Sequence, residues 1–158
     1  MAPGAEWYMT GKLAKFLALS GPAKWVFLSA VMLLPLFWLG LHVFGFARFQ
    51  AWLERAPLGE QKSLPVAAMS DLGTLVNSAA HYAPGPVTCL TRSLLLRWLL
   101  RRRGTASELR IGVQLVQGKL DAHAWVEYEG IPINDAQDVA QRFAAFSEPL
   151  SPQAFSSS

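Results

Sequence analysis

The chain has 158 residues, enough for one domain with an appendage, and it is 52% hydrophobic with only 16% charged residues. That balance excludes a disordered chain and is unusual for an ordinary soluble domain. The net charge of +3 and pI of about 9.3 fall short of the dense basic surface of a nucleic-acid binder, and the single cysteine excludes an internal disulfide and fits a reducing cytoplasm.

Residues 1–60 are expected to form an apolar helical region and a linker. Between Lys24 and Arg48 lie 23 residues without an Asp, Glu, Lys or Arg, "WVFLSAVMLLPLFWLGLHVFGFA". As a helix, residues 25–47 would reach about 35 Å at 1.5 Å per residue, enough to cross a bilayer core of about 30 Å. The same stretch suits a helix covering a catalytic domain or a partner. Pro35 is expected to kink or break it, with His42 near its C-terminal end. Its length and late start argue against a cleaved signal peptide. Cations flank both ends (Lys12, Lys15 and Lys24 before it; Arg48, Arg55 and Lys62 after it), so the positive-inside rule selects no orientation.

From Glu54 to Pro65 the sequence turns polar, punctuated by Pro57, Gly59 and Pro65, and reads as a linker. A helix over about 65–80 follows, with Val66, Met69, Leu72, Leu75, Val76 and Ala79 at helical spacing. "HYAPGP" then stops it. The next helix runs from about Cys89 to Arg103. Thr88 can cap its start, Gly104 can end it in a left-handed turn, and Arg101, Arg102 and Arg103 suit the negative end of its dipole. Period-two patterns come next. "ELRIGVQLV" puts Leu109, Ile111, Val113 and Leu115 on one face, "QGK" turns into "LDAHAWVEY", and "EG" turns into "IPINDA". Helices followed by an antiparallel meander make an α+β layout. A weak helical pattern spans Val139 to Phe146, and residues 149–158 read as a flexible tail.

The lone thiol, Cys89, falls where a helix begins. A thiol of ordinary pKa, about 8.5, is mostly protonated at neutral pH, and the thiolate is the nucleophile. Unpaired N–H groups and the dipole at a helix start favour the anion, and a nearby imidazole can take the proton. Of the three histidines, His42 lies in the apolar run and His81 in a Pro/Gly-rich loop. His123 lies mid-strand between two alanines, where a histidine is most often structural unless a partner orients it. If the hairpin loop is Tyr128, Glu129 and Gly130, with Gly130 left-handed, then His123 faces Asp135 on the same face. A carboxylate there fixes the tautomer and leaves the other ring nitrogen for the thiol. A two-residue loop of Glu129 and Gly130 would set Asp135 opposite Ala124, on the other face. The triad reading thus predicts the longer loop. Asp121 is the rival orienter, and Asp138 lies beyond the expected strand end.

Together "CLTRSLLLRWLLRRRG", "HAWVE" and the aspartate twelve residues after His123 resemble the B2 proteins of lasso-peptide biosynthesis over roughly residues 64–146. The resemblance implies a transglutaminase-like, papain-related core over 64–148, with the cysteine at a helix N-terminus packed on a small antiparallel sheet. It also implies a leader peptidase with Cys89 as nucleophile, His123 as base and Asp135 as orienting acid, needing no cofactor or metal. The implied partners are a precursor peptide, a leader-binding B1 protein and an ATP-dependent macrolactam synthetase; the chain's size fits the split arrangement in which B1 presents the leader. For the oxyanion, the backbone N–H of Cys89 is the first candidate, with Asn77 and Thr88 as side-chain candidates. A transglutaminase-like acyltransferase and a non-catalytic membrane or partner-docking scaffold are the rival readings. Arg92, Arg97 and Arg101–Arg103 read as a solvated helix face, or as receivers of acidic groups. Trp98 reads as core, and Trp125 as packing under His123.

Overall fold

A computed structural model describes residues 17–60 and 62–146; the expected tail over 149–158 and the leading Lys12 and Lys15 lie outside them. Helix α1 (Gly21–Phe44) starts at Ser20, whose hydroxyl accepts the Ala23 N–H, and has a proline in its first turn, where a missing N–H costs nothing. It continues through Pro35. The break expected there falls at Gly45, whose positive φ of 74° is open to glycine. Proline forfeits one helical hydrogen bond, and the burial of Ala30, Leu34 and Phe37 around it holds the helix together. After Gly45, α2 (Phe46–Glu54) folds back, its Phe49 ring edge-on to Phe37 at 5.4 Å.

Helices α3 (Val66–Ala80) and α4 (Cys89–Arg102) follow. α4 is apolar almost all round: Leu94, Leu95, Leu96, Leu99 and Leu100 are all buried, the pattern of a core helix. It packs on α1, α3 and one face of the sheet. The linker before α3 is tied to the C-terminal end of α4. Gly59 N–H donates to Arg101 O at 2.9 Å, and the Arg101 and Arg97 guanidiniums reach Ala56 O (2.7 Å) and Glu54 (2.9 Å). Buried Thr105 accepts from Leu64 N–H at 3.2 Å.

The sheet comprises β1 (Glu108–Val116), β2 (Lys119–Tyr128), β3 (Ile131–Pro132) and β4 (Ala144–Ala145), all antiparallel, in the order β3-β2-β1-β4. Leu109, Ala124 and Val126 share the core with α4, whereas Trp125 forms a separate cluster with Val139 and Phe143 on the opposite face. The helical pattern over 139–146 resolves into α5 (Val139–Arg142), a single turn, followed by β4. Phe143 turns extended (φ −109°, ψ 127°) and lays its ring against His123 and Trp125. Phe146 N–H then bonds Ile111 O, so the sheet edge takes the segment that local propensity gave to a helix.

The outer face of α1 remains apolar. Trp25, Leu28, Met32, Leu36, Leu39 and Val43 are all at least half exposed, at helical spacing along one stripe. A groove of about 890 Å³ lined by Leu36, Val43, Phe44, Trp52 and Trp98 continues this surface onto α2, with Arg48 and Arg55 at its rim.

Candidate active site

Cys89 is the first residue of α4. Thr88 caps the helix: its hydroxyl accepts Thr91 N–H at 3.2 Å and its carbonyl accepts Arg92 N–H at 3.1 Å. The first-turn amides at Cys89 and Leu90 are those with no intrahelical acceptor. The thiol is partly exposed and opens into a cleft of about 240 Å³, lined also by Asn77, Arg92, His123, Ala124, Asn134 and Asp135.

The hairpin that carries His123 and Asp135 differs from the expected one. Glu129 (φ 50°) and Gly130 (φ 78°) are both left-handed, as a two-residue type I′ turn requires, and Tyr128 pairs with Ile131 and Glu127 with Pro132. Continued, this register would set Asp135 opposite Ala124 on the wrong face. The ladder does not continue. Ile133 N–H bonds Val126 O at 2.8 Å, but Val126 N–H goes to the Asn134 side chain, Oδ1, at 2.8 Å. At Asn134 the chain leaves the sheet, so strand alternation no longer governs Asp135. Its Oδ2 then accepts from His123 Nε2–H at 2.5 Å, while Oδ1 accepts from Ala136 N–H at 2.8 Å and lies 3.5 Å from Arg142.

Because β3 pairs only with Glu127 and Tyr128, no described strand covers the edge of β2 at His123 and Ala124, and these two residues line the cleft. His123 belongs to the sheet row that faces away from α4. Its ring stacks with Trp125 (6.2 Å between centroids, 21° between planes) and lies tilted against Phe143 (4.9 Å). The helix tip and the imidazole nonetheless line one cleft across this open edge. With Nε2–H committed to the carboxylate, Nδ1 is the acceptor nitrogen of the ring left without a partner among the described residues. The residues after His123 in "HAWVE" support it from below: fully buried Trp125 donates its indole N–H to Glu127 at 2.8 Å, and Arg110 closes that carboxylate at 3.0 Å.

The sequence-derived rivals lie elsewhere. Asp121 accepts from Gln114 at 3.0 Å, Asp138 sits 3.4 Å from Arg142, and His42 donates from Nδ1 to Trp38 O. His81 caps the end of α3 through its backbone. Among the described residues no group of three or more His, Cys, Asp or Glu side chains is placed to hold a metal.

What sequence reasoning missed is the clamp on Asn134. Its Oδ1 takes Val126 N–H, its Nδ2 donates to Ser93 Oγ (3.2 Å), Ser93 Oγ–H donates to Ala124 O (3.1 Å), and Asn77 Nδ2 donates to Asn134 O (2.9 Å). Three elements thereby fix the residue before Asp135. Gly73, one turn before Asn77 on α3, permits the approach: a Cβ there would meet Ile133 O at 2.9 Å. The only sequence hint was a serine one turn past Cys89 inside a leucine run, together with an asparagine where a strand should continue. Asn134→Ala leaves the N–H of fully buried Val126 without its acceptor, and is expected to lower unfolding stability by about 2 kcal/mol in urea denaturation.

The family model described as Transglutaminase-like superfamily matches residues 30–148 of the chain. No curated protein and no solved structure matches it.

Proposed function

The chain belongs to the transglutaminase-like superfamily, whose fold points to a cysteine protease or acyltransferase kind of activity, and on that footing we propose that it is a leader peptidase of lasso-peptide maturation. Its substrate is then a ribosomally made precursor peptide, and its reaction is hydrolysis of the leader–core amide. The observation that carries this reading is the pairing of His123 Nε2 with Asp135, which leaves Nδ1 to the cleft that Cys89 enters.

In the proposed mechanism Nδ1 of His123 takes the Cys89 proton, and the sulfur attacks the scissile carbonyl carbon. The oxyanion is held by the Cys89 N–H at the helix start. Asn77 suits the side-chain donor role better than Thr88: one of its two amide N–H groups serves Asn134 O and the second remains, whereas the Thr88 hydroxyl is engaged as the helix cap. The imidazolium, stabilised by Asp135, gives its proton to the departing amine and leaves a thioester at Cys89. Water then loses a proton to Nδ1, attacks the thioester, and releases the leader as a carboxylic acid with the thiol restored. Trp125 and Phe143 wall the imidazole on one side and hold the ring in place.

The partners that follow from this reading are a small leader-binding protein that presents the precursor and an ATP-dependent synthetase that closes the macrolactam. The test is incubation of a lasso precursor and its leader-binding protein with this chain, read by mass spectrometry. A loss of the leader's mass is expected. Addition of a labelled primary amine separates the two activity classes: an aminated leader in place of the free acid would make the protein an acyltransferase.

The stripe on α1 supports a seat at a membrane surface. The helix is long and apolar enough to cross a bilayer, yet its opposite face is in the core, an arrangement suited to lying along the interface. Lys24 at one end and Arg48 and Arg55 at the other favour an anionic surface. The full chain is expected to co-float with phosphatidylglycerol vesicles. Leu36→Glu with Val43→Glu should weaken this at least about tenfold, since each change withdraws an apolar side chain worth about 1.5–3 kcal/mol when buried. Equal flotation of the doubly substituted chain would remove the membrane seat.

A further inference from the structure

Of the cationic side chains on α4, Arg92 alone has no partner among the described residues. Arg97 is held by Glu54 (2.9 Å) and Ser107 O (3.0 Å), Arg101 by Ala56 O, and Arg102 lies over the Trp98 ring at 4.8 Å. Just past the helix, Arg103 bonds Leu99 O. Arg102 is exposed, as a solvated helix end requires, whereas Arg97 and Arg101 are drawn into contacts with the residues ahead of α3. Arg92 is half-buried and lines the cleft with Cys89, three residues further along the helix, where side chains are neighbours. Two of the polar side chains that line the cleft with it are spent, Asn134 on Val126 and Ser93 and the one carboxylate, Asp135, on His123, Ala136 and Arg142. A guanidinium left unpaired inside a functional cleft, with its fork of donors free, matches a carboxylate in geometry and charge.

We infer that Arg92 is a specificity-determining residue that receives a substrate carboxylate within a residue or two of the scissile bond. The inference rests on the proposed peptidase reading for the identity of that substrate, but the anion-binding property belongs to the cleft itself. Two kinds of carboxylate carry the same chemistry, an Asp or Glu side chain beside the junction and a free chain terminus.

Because Cys89 is the only cysteine, its alkylation can be followed on the intact protein by mass. Iodoacetate and iodoacetamide make the same bond to sulfur with loss of iodide, and differ in charge, so their rate ratio cancels the thiol's own reactivity. The wild-type ratio is expected to exceed that of Arg92→Gln by about tenfold at low salt, with Arg92→Lys retaining part of it and Arg92→Glu falling below the glutamine variant. Ratios within twofold across all four proteins would overturn the carboxylate site. The source is then read on a peptide spanning a lasso leader–core junction. A loss of kcat/KM of about tenfold or more on changing one flanking Asp or Glu to its amide assigns a side chain, the same loss on C-terminal amidation assigns the terminus, and no loss in either arm overturns the substrate assignment. An intact alkylation preference without cleavage of any junction peptide would sink the peptidase reading and leave the anion site standing.

Discussion

Cys89→Ala is expected to abolish leader removal, lowering turnover by at least about 10⁴-fold, because every covalent step of the proposed mechanism runs through that sulfur. The thiol is partly exposed at the first turn of α4, and the helix start is secured by Thr88 rather than by Cys89. The variant should therefore keep its thermal midpoint within a few degrees, the scale set by about 1 kcal/mol in a domain this size. Circular dichroism on the same samples separates loss of chemistry from loss of fold. Unchanged cleavage by a folded Cys89→Ala protein would end the cysteine-peptidase proposal and favour a docking role for the domain.

The second large effect is expected from Asp135→Asn, a change that barely alters shape. In the wild type, Oδ1 accepts the Ala136 N–H and Oδ2 accepts the His123 Nε2–H. An asparagine must keep its single oxygen toward one of these two donors. The backbone amide of Ala136 always bears its hydrogen, whereas the imidazole can move its proton to the other nitrogen. The oxygen is thus drawn to Ala136 and the NH₂ group is turned against Nε2. That selects the tautomer with its proton on Nδ1, so the nitrogen facing the cleft becomes a donor and cannot take the thiol proton. A loss of about 10³–10⁴-fold in kcat follows, the scale of a wrong-tautomer substitution in a hydrolytic triad. KM should change little, because Asp135 contacts the imidazole rather than the peptide. Nitrogen-15 chemical shifts of His123 in the two proteins would show the tautomer directly; unaltered shifts together with the lost activity would refute this cause.

The sequence made the members of the proposed triad legible by different routes, and one route was faulty. Cys89 was readable because its helix start is written locally: Thr88 as cap, Gly104 past the end, arginines in the last turn. His123 was placed on its strand by period-two alternation. Asp135 was reached through a three-residue hairpin loop that does not form. Glu129 adopts φ 50°, uncommon for a residue with a Cβ, and makes the two-residue turn that the strand twist favours. The aspartate meets the histidine anyway because Asn134 intercepts the Val126 N–H and peels the chain off the sheet. No local pattern encodes that event, since it depends on Ser93 and Asn77, 41 and 57 residues away. The same limit explains Val139–Phe146, where pairing with β1 overrides a weak helical period. It also explains the α4 arginines, whose partners in the linker are distant in sequence.

In α1 the reading from sequence was coarse because hydropathy reports composition and not faces. Residues 25–47 contain both the core row of Ala30, Leu34 and Phe37 and the exposed row of Leu28, Met32 and Leu36. A helix apolar all round has no moment to show which side the domain covers. The long apolar stretch was visible, while its attachment to α3 and α4 was a tertiary fact.

The central claim is that water, activated at His123, resolves a thioester on Cys89. Cleavage of a lasso precursor in oxygen-18 water, read by mass spectrometry of the released leader, tests it most directly. A single heavy oxygen in the leader's new terminal carboxyl group is predicted, together with no released leader from the Cys89→Ala protein. Equally labelled leader from that variant, or a wild-type protein that leaves the precursor whole in the presence of its leader-binding partner, would contradict the claim.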